Sequence, residues 1–148
     1  MKVSFTVPGI AAPQGSKRHV GHGIMVESSK ALPAWRDGII HAARQAIDGL
    51  DGYPIALPLN LDLTVRFPRP KSHYRTGKHA GQLKLDAPVW VNKAPDLDKL
   101  VRAVCDALTA AGVWIDDSQV ATLHARKCYV DFRGPGCDIT VQTLPVTA

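Results

Sequence analysis

Long apolar runs are missing from this chain of 148 residues. No stretch approaches the ~18 apolar residues that a membrane span needs. Met1-Lys2-Val3-Ser4-Phe5-Thr6-Val7 alternates like a strand, where a secretory leader would show a continuous apolar region. The expectation is a soluble, unsecreted, cytoplasmic protein. Cysteine is scarce. Cys105, Cys128 and Cys137 are odd in number and lack the close pairing of a zinc site, so they read as reduced thiols and exclude a disulfide scaffold or a zinc ribbon. Repeats and low-complexity tracts are absent as well. With 45% hydrophobic and 21% charged residues the chain can bury a core, which excludes fibrous, collagen-like and disordered classes. At about 100 to 200 residues per domain, residues 1–148 form one domain.

Acid is missing from one long stretch. Arg66 to Lys84 carries Arg66, Arg69, Lys71, Arg75, Lys78 and Lys84 together with His73, Tyr74 and His79, and no Asp or Glu. A smaller basic cluster holds Lys17, Arg18, His19 and His22, within an overall net charge of +5. Cations interleaved with an aromatic in a Gly/Pro-punctuated segment suit contact with a phosphate backbone, because each neutralised phosphate releases counterions. The plainer reading is a charged loop that keeps the surface solvated.

Residues Lys2 to Pro8 form a first strand, followed by a Gly-rich basic loop over about 9–29. Leu32, Trp35, Ile39, Ala42, Ala43 and Ala46 recur at helical spacing and predict an amphipathic helix over about 30–47, with Pro33 tolerated in its first turn. Leu59, Leu61, Leu63, Val65 and Phe67 alternate with polar residues and predict a strand that Pro68 and Pro70 end. About 68–93 shows little periodicity, and a loop that long is a candidate substrate flap. After Pro95, the stripe Leu97, Leu100, Val101, Val104, Ala107, Leu108, Ala111 predicts a second helix over 96–111 that Gly112 closes. Strands over about 120–130 and 138–144 follow. The order β-α-β-α-β-β implies an α/β (α+β) fold, a small mixed sheet covered by two helices.

Two carboxylate pairs bracket the second helix: Asp96 and Asp98 at its start, Asp116 and Asp117 just past its end. A helix of about 16 residues is ~24 Å long. The pairs therefore meet only if the following chain folds back over the first turn, the arrangement expected here, or if a symmetry mate supplies one of them. Each pair also has an ordinary explanation. Acids in a first turn cap the helix and favour its dipole, Asp98 and Arg102 are spaced for an ion pair, and Asp116-Asp117-Ser118 suits a turn. Gathered together, carboxylates ~4 Å apart repel by about 4 kcal/mol per pair at an effective dielectric near 20, and need a cation. Mg²⁺ takes one or two carboxylates and leaves its other positions to water and phosphate oxygens. An acidic metal pocket beside basic flaps points to phosphodiester chemistry.

Other constellations carry less. His19 and His22 are the one close histidine pair and have no Cys or carboxylate at ligand spacing. Gln14-Gly15-Ser16-Lys17 lacks the first glycine and the following helix of a phosphate loop, so no nucleotide cofactor is expected. Trp35 and Trp114 read as core; Trp90, in the flap, stays open.

The segment Asp96-Leu97-Asp98-Lys99-Leu100-Val101-Arg102-Ala103-Val104-Cys105-Asp106-Ala107-Leu108-Thr109, with Trp114-Ile115-Asp116-Asp117-Ser118-Gln119-Val120 after it, resembles the RusA-type Holliday junction resolvases, in particular phage-borne members. The likeness is strong over about 95–127, and Pro13-Gln14-Gly15 and Trp35-Arg36 support it more loosely. It implies a homodimeric, Mg²⁺-dependent endonuclease that nicks paired strands of a four-way DNA junction in recombination, repair or phage DNA processing. By that resemblance Asp96, Asp98 and Asp117 are catalytic metal-binding acids and Asp116 supports them. Arg102 stands where the family has a catalytic lysine, and Lys99 where it has an asparagine. Arg102 keeps the charge but cannot give up a proton. The expected DNA-binding set is Lys17, Arg18, Arg69, Lys71, Arg75 and Lys78 from the basic clusters, with Lys99 and Lys127 added by the resemblance. The competing reading is a non-catalytic nucleic-acid-binding protein with a degenerate site.

Overall fold

The computed structural model describes residues 1–15 and 30–147 in full and, between them, the backbone of 17–19 and 25–27. The elements are β1 (Lys2–Pro8), β2 (Lys17–His19), β3 (Met25–Glu27), α1 (Leu32–Ile47), β4 (Leu59–Phe67), α2 (Leu97–Ala111), β5 (Val120–Tyr129) and β6 (Gly136–Thr143). The α+β class, one mixed sheet and two helices, is the one the sequence predicts. One difference is that β2 and β3 pair as a small antiparallel hairpin inside the segment expected to be loop.

The main sheet runs β1-β6-β4-β5. β6 pairs antiparallel with both β1 and β4, whereas β5 lies parallel to β4. A parallel pair needs a crossover, and here the basic flap and α2 supply it. Alternation decides the faces. Leu61, Leu63 and Val65 stand opposite Val141, Ile139 and Cys137 of β6, all buried under the helices. Ser4, Thr6, Asp62, Thr64 and Thr140 point to the other, polar face, where the Ser4 and Thr140 hydroxyls are 2.9 Å apart.

Each helix buries one stripe: Leu32, Trp35, Ile39 and Ala43 of α1, and Leu100, Ala103, Val104, Ala107, Leu108 and Ala111 of α2. α1 packs beside β1 and against α2, and α2 lies towards β5. Gly112 ends α2 at φ 80°, a left-handed conformation that closes the last turn through its N–H on the Leu108 and Thr109 carbonyls. Trp114, 1% exposed, donates its indole N–H to the Thr109 hydroxyl at 2.7 Å. Both Trp35 and Trp114 are core, as predicted. Arg66 is the buried charge of the described residues, 3% exposed, paired with Asp138 at 2.5 Å and bonded to the Gly134 carbonyl at 3.2 Å.

The flap is built rather than featureless. Short 3₁₀ turns at Lys71–His73 and Gly77–His79 fold it, and Tyr74 bridges to Leu83. Its return limb pairs with the outer edge of β5: the Tyr129 N–H donates to Val89 O at 2.9 Å and the Val91 N–H to Lys127 O at 3.2 Å, with Trp90 opposite Cys128. The C-terminal half of β5 thus has neighbours on both sides.

Candidate active site

Asp96 occupies the N-cap position of α2 without a side-chain cap; its carboxylate takes the Lys99 ammonium at 3.5 Å. Asp98, exposed in the first turn, stands with Leu97, Val101, Leu123 and Ala125 around a depression between α2 and β5. The spacing that allowed an Asp98–Arg102 pair is not used for one. Arg102 instead lies against Gly15, where a Cβ would meet Nη1 at 2.2 Å; glycine with φ +99° admits this approach.

Asp116 and Asp117 sit at the other end. Asp116 accepts the Ser118 N–H at 3.1 Å and the Ser118 hydroxyl, and these bonds hold its carboxyl below the usual range. Gln119 fixes the same turn. Its Oε1 accepts the N–H groups of Ile115 and Asp116, both at 2.9 Å, while Nε2 donates to the carbonyls of Ile55 at 2.8 Å and Leu57 at 3.0 Å. Asp117, exposed, then shares a depression with Asp116, Arg36, Asp106, Thr109 and Ala110. Asp117 and Asp106 both act on the Cys105 thiol, which burial first and then these two charges push up to about 12.

The structure does not gather the four expected metal ligands within one subunit. Asp117 opens onto the depression it shares with Asp106 and Asp116, whereas Asp98 stands at a separate one between α2 and β5. Among the described residues no group of three or more His, Cys, Asp or Glu converges as a metal would require. The donor chemistry still fits a hard divalent ion. Asp98 and Asp117 are exposed carboxylates outside every ion pair of the described residues, and such an ion takes one or two carboxylates and completes its shell with water.

The expected DNA contacts divide. Lys71, Arg75 and Lys78 are exposed on the flap; Lys71 and Arg75 line a depression with Tyr74, Thr76, Gly77, Ala80 and Gly81. Arg69 is committed internally, to Val130 O at 3.2 Å, Pro88 O at 2.6 Å and the His73 ring at 3.3 Å, and it lies 5.4 Å from the Tyr129 ring centre. Lys127 spends two of its donors on Lys93 O at 2.7 Å and Pro95 O at 2.8 Å, just ahead of Asp96. The side chains of Lys17 and Arg18 lie outside the described residues.

Sequence reasoning missed three residues. Asp106 and Arg36 line the Asp117 depression, and Gln14 donates to Asp106 from the loop after β1, where its N–H also bonds Lys99 O at 3.0 Å. Asp106 continues the outward row 98, 102, 106 at helical spacing, which is a readable signal; Arg36 needs the α1–α2 packing.

A mixed sheet covered on one face thus presents exposed acids along α2 and a cationic flap on one molecule. The family model described as endodeoxyribonuclease RusA matches residues 7–142, and the chain belongs to that family. It is therefore an endodeoxyribonuclease of the kind that resolves Holliday junctions, with branched DNA as its substrate class, and nucleases of this kind generally depend on a divalent metal. No curated protein matches the chain. No helix of the described residues is long and apolar enough to cross a membrane.

Proposed function

We propose that the chain is a Mg²⁺-dependent, homodimeric resolvase that nicks paired strands of a four-way junction during recombination, repair or phage DNA processing. The observation that carries this reading is the pair of exposed carboxylates, Asp98 and Asp117, that no cation among the described residues pairs with, in a chain of this family. Asp96, Asp98 and Asp117 would hold the ion, with Asp116 fixing the turn that presents Asp117. When bound, the ion supplies polarisation of the scissile phosphate and a lowered pKa for an attacking water.

The chain's own residues do the rest. Lys71, Arg75 and Lys78 hold phosphates of the arms. Lys99 and Arg102 keep positive charge beside the acids, where a phosphate diester has to approach them, and the guanidinium acts as a fixed charge rather than a proton donor. Lys127 acts here through the backbone, by holding the segment that leads into Asp96. A two-fold pair of sites matches the two equivalent strands of a four-way junction.

The test is Asp98→Asn on a synthetic junction with Mg²⁺. Cleavage is expected to vanish while junction binding in Ca²⁺ stays equal or tightens, since losing a negative charge does not weaken phosphate affinity. Normal cutting by this variant would refute the assignment. Retardation of junctions by the unmodified protein with no nicked product at any Mg²⁺ concentration would favour a binding protein.

A further inference from the structure

We infer that the hollow where β4 and β5 end is a subsite for one unstacked nucleotide of the DNA, held next to the scissile phosphate. This rests on the proposed function and adds to it what the site does with a neighbouring base. The hollow measures about 390 Å³ and lies between the loop after β1, the first residues of the flap and the segment that leads into α2. Its apolar walls are the rings of Phe67 and Tyr129, the prolines Pro68 and Pro70, and Ile10, half-exposed on the rim. Its charges are of one sign. Arg69 and Lys93 line it, no acid among the described residues does, and the Lys93 ammonium is in none of their ion pairs. The same cations act on His73, whose ring sits edge-on to Tyr129 with centroids 4.6 Å apart. Its pKa is held below the usual value by burial first and then by Arg69, Lys93 and Lys84.

One buried group points to a ligand. Tyr129 is 8% exposed and carries Arg69 and His73 packed on its ring, yet its hydroxyl has no hydrogen-bond partner among the described residues. A buried hydroxyl costs free energy unless something bonds it. A nucleotide meets every feature of the hollow at once. Its flat base suits the rings and prolines, the polar edge of the base suits the phenol, and its phosphate suits exposed Lys93 at the mouth. An aliphatic ligand would leave the cations without a counter-charge, and inorganic phosphate would leave the rings bare. The position of the hollow indicates which nucleotide. Ala94, on its wall, is two residues before Asp96, so the hollow begins within about 7 Å of chain from a proposed metal ligand. Lys127 clamps this segment through Lys93 O at 2.7 Å and Pro95 O at 2.8 Å, which fixes the wall relative to the acid. Taking a base out of the stack is cheapest where its pairing is already disturbed, as at a strand-exchange point. A subsite for such a base tells a branch point from continuous duplex.

The deciding experiment uses 2-aminopurine, a base that fluoresces when it leaves the stack. It is placed singly at each nucleotide flanking the exchange point of a synthetic junction, with Ca²⁺ in place of Mg²⁺. Binding of the wild type should raise emission several-fold at one position and leave a linear duplex of the same sequence unchanged. Ile10→Phe, folded by circular dichroism, narrows the hollow and should abolish the rise, while Tyr129→Phe and Lys93→Ala weaken it. No rise at any position of a bound junction, or a rise that Ile10→Phe leaves intact, would overturn the inference. The hollow also has a readout that needs no junction. The deoxyribonucleoside monophosphate of 2-aminopurine should bind the wild type saturably at millimolar concentration. Ile10→Phe should bind it at least about 5-fold more weakly, the smallest loss expected for a stacked base. No saturable binding, or equal binding by the variant, also overturns it. A wild type that never cuts junctions would remove the functional reading while the mononucleotide still decides the subsite.

Discussion

Replacing Gln119 tests whether the turn carrying Asp117 is held as described. One side chain makes four hydrogen bonds there, accepting two backbone N–H groups and donating to two carbonyls of the segment before β4. A typical protein hydrogen bond contributes about 0.5–1.5 kcal/mol net, and only the bond to Ile55 O is partly buried, so Gln119→Ala should cost about 2–3 kcal/mol. At about 2–4 °C per kcal/mol for a domain of this size, Tm should fall by about 4–12 °C in a calorimetric scan. Gln119→Glu separates the halves of the interaction. A carboxylate still accepts from Ile115 and Asp116 but faces two carbonyl oxygens with no proton to give, so this variant should be as unstable as Gln119→Ala at pH 7. It should regain stability as acid protonates it. Both variants should cut junctions more slowly than wild type at temperatures where they remain folded, because Asp117 is presented by a looser turn. A Gln119→Ala protein with Tm within about 1 °C of wild type and unchanged cleavage would refute the account of the turn.

Two further outcomes follow from the charges. Arg66→Ala leaves Asp138 partly buried without its main partner, at about 3 kcal/mol and so about 6–12 °C in Tm. Burial alone would raise the Asp138 carboxyl, but its bonds to Arg66 and Thr6 and the nearby Arg133 hold it below the ordinary value. The stability it contributes is therefore complete above the unfolded carboxylate range, near ~3.9, and is lost as pH falls through the lowered folded value. A titration of Tm from pH 6 to pH 2 should be less steep in Asp138→Asn, and an equally steep curve would reject the linkage. On the flap, replacing Lys71, Arg75 and Lys78 together with Ala should reduce the slope of log K for junction binding against log salt by up to about 3, at about 0.9 per phosphate contact. An unchanged slope would assign those charges to solubility.

The sequence was most legible where one periodicity ran long enough to be unambiguous. Alternation fixed β1 and β4 to the residue, and the apolar stripe with Gly112 fixed α2 to within a residue of its start. Strands of three residues, as in β2 and β3, leave no pattern to read. The order of the flap was hidden for a different reason. It depends on Arg69 and Lys127 reaching backbone carbonyls and on the exposed edge of β5, none of which has a local signature. At the site, the acids were legible as types and positions, and the bet that they meet inside one chain was not met. The direction of β5 relative to α2 decides their separation, and strand direction is a property of the sheet. Asp106 was within reach of a helical-wheel reading, whereas Arg36 enters only through the packing of α1 on α2.

The Arg69 guanidinium that grips Pro88 O also ties the neck of the flap shut, with the strand-like limb beyond Pro88 fastened to β5. The two ends of this excursion therefore stay together whatever its tip does, in the manner of a compact surface loop closed at its base. Lengthening, shortening or exchanging the exposed turn around Thr76–Gly81 alters the reach of the protein without disturbing the framework beneath. It is the natural place to graft a segment that changes which branched molecules are held.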